Sequence, residues 1–294
     1  MKILYVAKHG SGGNDDEEAI AHALRQLGHQ VTCVNERGFD GLTSTKYDFM
    51  LCHHFHNFDA LKACIAPKVF WCFDRIHDDD PTLARRCEER GAWLARMIEL
   101  CHVGFMTDGD AVTQWNRLHW LPQGADERVV GRGTKVPHRD IPILFTGAVR
   151  GCGAKRQSFV DEMVARYSPN FVHVVKGIHG RAMADLIATS RIVVAPDFPI
   201  SDRYWSNRVY NVLGFGGFLL HPRCTELSKH YTSGVHYIAY DSREQLHQLI
   251  DDYLRLDLSR QLVQQRALDC TIKEHTYRHR CEQLVATVKE VLGV

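Results

Sequence analysis

The sequence has no run of about 18 apolar residues, so no segment predicts a membrane-spanning helix. The opening residues, MKILYVA, are too short for the core of a signal peptide and read as a first strand, which predicts a soluble, cytoplasmic protein. An excess of one charge is also lacking. Thirty-six Lys and Arg against 35 Asp and Glu leave a formal net charge of +1, which speaks against a strongly basic nucleic-acid binder and against an acidic one, while leaving room for a local basic patch. The ten cysteines, at 33, 52, 64, 72, 87, 101, 152, 224, 270 and 281, form no C-x-x-C pair. That argues against a structural zinc site and a disulfide framework, and predicts reduced, mostly buried thiols. Low-complexity segments and solenoid repeats are absent too. With 45% hydrophobic and 24% charged residues, the 294-residue chain has ordinary globular composition. It is long enough for two domains of about 100 to 150 residues.

Short β-rich runs alternate with helical periodicity along most of the chain. KILYVA (2–7), QVTCV (30–34), DFMLC (48–52), VFWCF (69–73) and VGFM (103–106) are separated by segments such as EEAIAHALRQLG and TLARRCEERGAWLARMIEL. The apolar residues of those segments recur at helical spacing, the pattern of parallel strands joined by crossover helices. It breaks at LPQGADERVVGRGTKVPHRDIP, rich in Gly, Pro and charge, which reads as a linker. It restarts with ILFTG (143–147), FVHVV (171–175), RIVVAP (191–196), GFLLH (217–221) and VHYIAY (235–240), and the tail reads as consecutive helices. The pattern predicts two successive α/β halves, each an open, doubly wound sheet that binds ligands at the carboxyl ends of its strands.

In the first half, HGSGGNDDEE (9–18) connects strand to helix. Gly12 and Gly13 allow close backbone approach, as a plain tight turn or as a substrate loop. CHHFHN (52–57) places His53, His54 and His56 at a strand end, where an imidazole can act as general base. Neighbouring strand residues point to opposite faces, so one metal ion cannot gather all three with Cys52, and no metal site is predicted. CFDRIHDDDP (72–81) offers Asp74 directly after a strand, with Asp79 or Asp80 as the cap of a helix opened by Pro81; Asp108 and Asp110 also read as caps.

In the second half, ILFTGAVRGCGAKRQSF (143–159) puts Gly147, Arg150, Lys155 and Arg156 between a strand and a helix start, either a diphosphate cradle or a solvated basic loop. The strongest local signal is YWSNRVYNVLGFGGFLL (204–220). Ser206 is a good helix cap, RVYNVLG gives two turns, and Arg208 lies in the first turn beside the positive end of the helix dipole, a favourable place for phosphate. Capping alone does not explain the crowding of Tyr204, Trp205, Asn207 and Arg208. The aromatic pair either walls a sugar pocket or staples the helix.

Four stretches carry a family resemblance: YDFMLCHHFH, LPQGAD, SNRVYNVLGFGGFLL, and TSGVHYIAYDSREQLHQLIDDYL followed by HTYRHR. In order and spacing the chain resembles nucleotide-sugar glycosyltransferases of the GT-B fold, and looks closest to the group 1 proteins related to the spore-maturation protein CgeB. The resemblance implies two Rossmann-like domains facing across a cleft, with C-terminal helices bracing the two. Residues 1–125 would form the acceptor domain, 126–140 the linker, 141–272 the nucleotide-sugar donor domain and 273–294 a crossing helix.

The implied activity is metal-independent transfer of a sugar from a nucleoside diphosphate donor, a UDP- or GDP-sugar acting as co-substrate with no further cofactor, to an acceptor hydroxyl. Arg208, Ser206 and Asn207 with Arg150, Lys155 or Arg156 would face the diphosphate, Asn211 the ribose, and the segment from His173 through Lys176 to Gly177 the nucleobase. His54 or His56 would orient or deprotonate the acceptor, with Asp74 competing for that role. Related transferases usually carry two glutamates eight positions apart where this chain has Arg203 and Asn211; an arginine accepts no hydrogen bond and Asn211 offers only a neutral group. Alternatives are a DNA glycosyltransferase acting on hydroxymethylated bases, a non-catalytic nucleotide-sugar binding module and a sugar-nucleotide epimerase.

Overall fold

The computed structural model describes residues 1–9, 16–41, 46–53, 55–76, 78, 80–131, 139–149, 152–175, 177–198 and 200–293. The chain divides into two compact units, one of Met1–His77, Arg86–Gly124 and Tyr277–Val294, the other of Asp78–Arg85 and Ala125–Thr276.

The first unit is built on six parallel strands, β1 (Lys2–Ala7), β2 (Gln30–Asn35), β3 (Phe49–Cys52), β4 (Lys68–Cys72), β5 (Val103–Met106) and β6 (Leu118–Trp120), in the order β2-β1-β3-β4-β5-β6. Ile3, Leu4, Tyr5 and Val6 are all fully buried, as expected of a central strand covered on both faces. Helices α1 (Asp16–Gln26), α2 (Phe58–Ala63), α3 (Ala84–Leu100) and α4 (Gly109–Val112) supply the crossovers. On α1 the core face is Ile20, Ala23 and Leu24, a helical repeat of apolar residues. The sequence pattern missed β6. Its three residues, LHW, are too few to show an alternation, and it lies at the sheet edge.

The second unit carries β7 (Ile141–Thr146), α5 (Ala154–Tyr167), β8 (Phe171–Val174), α6 (Gly180–Ala188), β9 (Ser190–Val194), α7 (Arg208–Gly214), β10 (Leu219–Pro222), α8 (Leu227–His230), β11 (Ile238–Tyr240), α9 (Arg243–Tyr253) and α10 (Asp257–Glu274). Its five parallel strands run β11-β10-β9-β7-β8. Ile143, Phe145, Ile192, Val194 and Leu220 form the sheet's contribution to a core closed by Phe159 and Met163 of α5. The last helix, α11 (Tyr277–Leu292), belongs to the first unit and buries Cys281, Leu284 and Val288 against Ile20 and Leu24. Among the described residues no helix is long and apolar enough to cross a membrane.

Both sheets share one topological feature. Each starts on an inner strand, adds its second strand on one side, and then reverses to add the rest on the other. The reversal lies between β1 and β3 in the first unit and between β7 and β9 in the second. Crossovers leave such a pair of strands toward opposite faces, opening a crevice at their carboxyl ends where ligands bind.

Candidate active site

At the reversal point of the second unit, β9 runs out through Ala195 and Pro196 to Asp197, which is buried. Its Oδ2 accepts the Ser206 amide at 2.9 Å and faces His221 Nε2 at 3.4 Å, and its Oδ1 lies 3.5 Å from Arg208 Nη1. Burial alone would raise this carboxyl, but the His221 contact, the Arg208 charge and the Ser206 amide together hold it well below the usual carboxylate range.

Arg208 Nη1 also donates to the Pro196 carbonyl at 3.3 Å, and the guanidinium rests over Phe145 of β7, 5.3 Å from the ring centroid. Nη2 lies against Gly147, the residue after β7; a Cβ there would stand 2.9 Å from it, and Gly147 has φ +137°. Glycine is thus demanded twice, by the backbone and by the arginine beside it. Burial pulls Arg208 below its ordinary value, Asp197 acts against that pull, and Arg156 adds to it. An arginine starts so far above neutrality that it stays charged. The repulsion shows that two guanidinium groups share this region. Arg156 Nη1 is held by the Ala148 carbonyl at 3.3 Å. The Ser206 hydroxyl oxygen is buried and makes no hydrogen bond among the described residues. A buried polar atom in this condition is costly unless a ligand satisfies it.

The expected Ser206 side-chain cap does not form. Helix α7 starts one residue later, with Asn207 in the cap position in helical conformation and no capping side chain. Ser206 instead commits its amide to Asp197 and its carbonyl to the Val209 amide at 3.1 Å. Tyr204 is half-buried. Trp205 is buried against His230 and Tyr210, with ring centroids at 5.2 and 6.5 Å, and so has the placement of a helix staple. Asn211 is one turn into α7, its amide bonded to the Asn207 carbonyl at 2.9 Å.

The cradle expected at the start of α5 is altered by an anion of the protein itself. Asp78–Arg85 groups with this unit, and Asp80 Oδ2 accepts the Ala154 amide at 2.6 Å while its Oδ1 accepts Thr82 N at 2.9 Å. The Thr82 hydroxyl, donating to Oδ1 at 2.6 Å, together with these two amides and Lys155 nearby, holds the Asp80 carboxyl below its usual range. Gly153, at φ +85°, has no room for a side chain, since a Cβ would sit 2.6 Å from Asp80 Oδ2. Lys155 is exposed in the first turn of α5. Asp80 is also the cap residue ahead of Pro81, as its position predicts. At the end of β8, His173 donates from Nε2 to the Gly147 carbonyl at 2.8 Å and packs on Phe145, and Gly177 follows with φ +85°.

In the first unit a cavity of about 480 Å³ opens at the strand ends, lined by Lys8, His56, Cys72, Asp74, Arg90 and Trp93 among others. Asp74 and His56, paired by the sequence argument, do line one space. Asp74 is anchored by Arg90 at 2.9 Å, and Arg90 by the Arg75 carbonyl at 2.7 Å. His56 is exposed, its ring 6.2 Å from that of Trp93. His53 is instead a core histidine, donating from Nδ1 to the Trp71 carbonyl at 2.7 Å and receiving the Tyr5 hydroxyl on Nε2. Asp108 caps α4, accepting Asp110 N and Ala111 N. Gly12, Gly13, His54, Arg150 and Lys176 lie outside the described residues.

Asp197 and His221 were not foreseen. The rule that selected Asp74, an acid directly after a parallel strand, applies equally to Asp197 in RIVVAPD. His221, inside the apolar run GFLLH, carries no comparable signal.

Two all-parallel α/β units, each with polar side chains gathered at the strand ends, define the two-Rossmann-domain class of the GT-B glycosyltransferases. The chain belongs to the family described as Glycosyl transferase-like, whose model matches residues 134–286. No curated protein sequence matches it. Among solved structures it is similar to sucrose-phosphate synthase of Thermosynechococcus elongatus (TM-score 0.69, 10% identity, 100% of this chain and 99% of that one). It is also similar to Anabaena HepE in complex with UDP and glucose (0.66, 11%, 98% and 99%). An alpha-glucosyltransferase in complex with UDP-glucose and DNA containing an abasic site matches as well (0.64, 9%, 98% and 99%). At such identities the likeness is one of fold.

Proposed function

We propose that the protein transfers a sugar from a nucleoside diphosphate donor, in the first instance a UDP-sugar, to an acceptor hydroxyl. The observation that carries this reading is the largely buried Arg208, fixed by Asp197 at the reversal point of the second sheet, beside Arg156 and the Ser206 hydroxyl that has no hydrogen bond among the described residues. Two guanidinium groups and a hydroxyl donor match a diphosphate, and charge fixed in place before reaction stabilises the negative charge that develops on the leaving group. Stabilisation by side chains gives the reaction no need of a divalent metal. Asn211, one turn further along α7, is the candidate for the ribose.

The acceptor is assigned to the first unit, where His56 serves as general base and Asp74, held by Arg90, orients the hydroxyl. UDP is preferred because two of the structural neighbours bind it or its glucose derivative. Within the family, the four stretches quoted above favour a CgeB-like member. Its ten cysteines are all free, which suits a reducing, cytoplasmic compartment.

The experiment is a thermal-shift panel of UDP, GDP, dTDP, CDP and ADP sugars, followed by a donor-hydrolysis assay. A ligand present at 100 times its Kd stabilises the native state by about 2.7 kcal/mol. Neither a shift nor hydrolysis with any donor would overturn the reading; a shift without hydrolysis would leave a binding module. A DNA acceptor is a second reading, favoured by the DNA in one neighbouring complex. It predicts duplex binding that weakens steeply with salt.

A further inference from the structure

Three metal-ligating side chains converge at the carboxyl end of α10, on elements that contribute nothing to the donor site above. Cys270 and Glu274 are one helical turn apart on the same face, and His275 follows as the C-cap residue. A ligand atom from each lies within 4.8 Å of the other two. A fourth group joins them. The His230 carbonyl, at the end of α8, is 3.0 Å from His275 Nε2 and 3.7 Å from Cys270 Sγ. Ligands bound at about 2.0–2.3 Å to a tetrahedral ion stand about 3.3–3.8 Å from one another. The two separations measured at the carbonyl are close to edges of such a tetrahedron, and the 4.8 Å limit requires only side-chain adjustment.

We propose that Cys270, Glu274 and His275, completed by the His230 carbonyl, bind one divalent cation of the zinc class. Thiolate with imidazole selects such an ion over magnesium or calcium, which prefer all-oxygen shells. Binding replaces the thiol proton, released to solvent, with a bond from sulfur to metal. The imidazole stays neutral but changes tautomer: Nε2 gives up the proton that it donates to the His230 carbonyl in the metal-free protein and binds the ion, while Nδ1 takes up a proton from solvent. One thiolate and one carboxylate then balance the two charges of the cation.

The framework that carries the ligands is fixed before the ion arrives. The His275 ring is buried beside Tyr231 and Tyr210, with centroids at 4.5 and 6.3 Å, and its backbone is fixed by bonds of 2.9 Å from its amide to the Thr271 carbonyl and from the Ala125 amide to its carbonyl. Glu274 is exposed, leaving the ion a route from solvent; its 3.0 Å contact with Lys273 is a surface pair that yields easily. A cation here also faces the negative end of an 18-residue helix.

The test is titration of the metal-free full-length protein with Co²⁺, read by thiolate-to-cobalt charge-transfer absorption, with Zn²⁺ competing. One equivalent per chain is expected, with the band lost in Cys270→Ser and affinity reduced by about tenfold or more in Glu274→Gln. Both substitutions sit on partly or fully exposed positions, so folding of the variants is not in question, unlike His275→Ala. Absence of the band, or a band that persists undiminished in Cys270→Ser, would overturn the proposal.

Discussion

Arg208 and Asp197 meet 3.5 Å apart at the carboxyl end of β9, both side chains nearly buried, with the arginine stacked on Phe145 and the carboxylate also held by Ser206 N. Such a pair adds little net stability, because both charges lose their hydration. What it secures is position. The guanidinium is held by the protein's own groups: Asp197, the Pro196 carbonyl and the Phe145 ring. Arg208→Ala is therefore expected to lower kcat by about 100-fold, the effect of removing one preorganised donor to developing charge. Steady-state kinetics at saturating donor decide it; an unchanged kcat would take Arg208 out of the mechanism.

Removing the other half of the pair should be felt in folding. Asp197→Asn leaves a buried guanidinium uncompensated, for which a loss of about 3–5 kcal/mol is typical. The pH dependence has a definite sign. The folded carboxyl is held below its unfolded value of about 3.9, so its contribution is complete above that pH and is lost as the pH falls further. Urea denaturation of both proteins should show a constant stability gap from pH 7 to about pH 5, narrowing below about pH 4. A gap independent of pH throughout would mean that the charge of Asp197 is not what stabilises the site.

The strands and the helix after YWSN could be read from the sequence because their signals are local. ILFT and VFWC are continuous apolar runs, and RVYNVLG coincides with α7. The electrostatic centre could not be, because its members are distant in sequence: Asp197 is 11 residues from Arg208 and 24 from His221, and Asp80 is 74 from Ala154. A capping rule assigns Ser206 to its own helix, and no local rule says that a carboxylate nine residues earlier will take its amide. Trp205 illustrates the same limit. An aromatic beside polar residues suits a sugar wall or a staple equally, and only packing against His230 and Tyr210 separates them.

Trp205 offers a prediction of its own. As a buried brace it should cost about 3–5 kcal/mol when replaced by Ala, measured by chemical denaturation. The milder Trp205→Phe, folded at assay temperature, should keep the donor KM within about twofold, since a staple touches no substrate. A large rise in donor KM with stability intact would return Trp205 to the sugar pocket.

Gly147→Ala tests the contact between the loop after β7 and the arginine. The new methyl meets Arg208 Nη2 at 2.9 Å on a backbone with φ +137°. Strain of about 1 kcal/mol or more is expected from the backbone alone. Displacing the guanidinium should also weaken UDP binding. Calorimetric titration with UDP should therefore show reduced affinity in Gly147→Ala, while Gly234→Ala, also at positive φ but with no neighbour within 4 Å and outside the donor segments, should lose stability without the same loss of UDP affinity.

His56 and Asp74 share one cavity, and the separate roles proposed for them predict separate kinetic effects. An imidazole acting as general base contributes about 10²–10⁴-fold to the rate, so His56→Ala should lose at least about 100-fold in kcat for transfer with little change in acceptor KM. In the role proposed above, Asp74, anchored 2.9 Å from Arg90, orients the acceptor, so Asp74→Asn should mainly raise acceptor KM. Arg90→Gln, which removes that anchor without altering Asp74, should repeat the Asp74 effect in weaker form. Donor hydrolysis in the absence of acceptor should persist in all three, because the proposed diphosphate contacts are residues of the second unit. If Asp74→Asn abolishes turnover and His56→Ala retains it, the two residues exchange roles. If Arg90→Gln leaves acceptor KM unchanged, the ion pair is structural and does not position the acceptor.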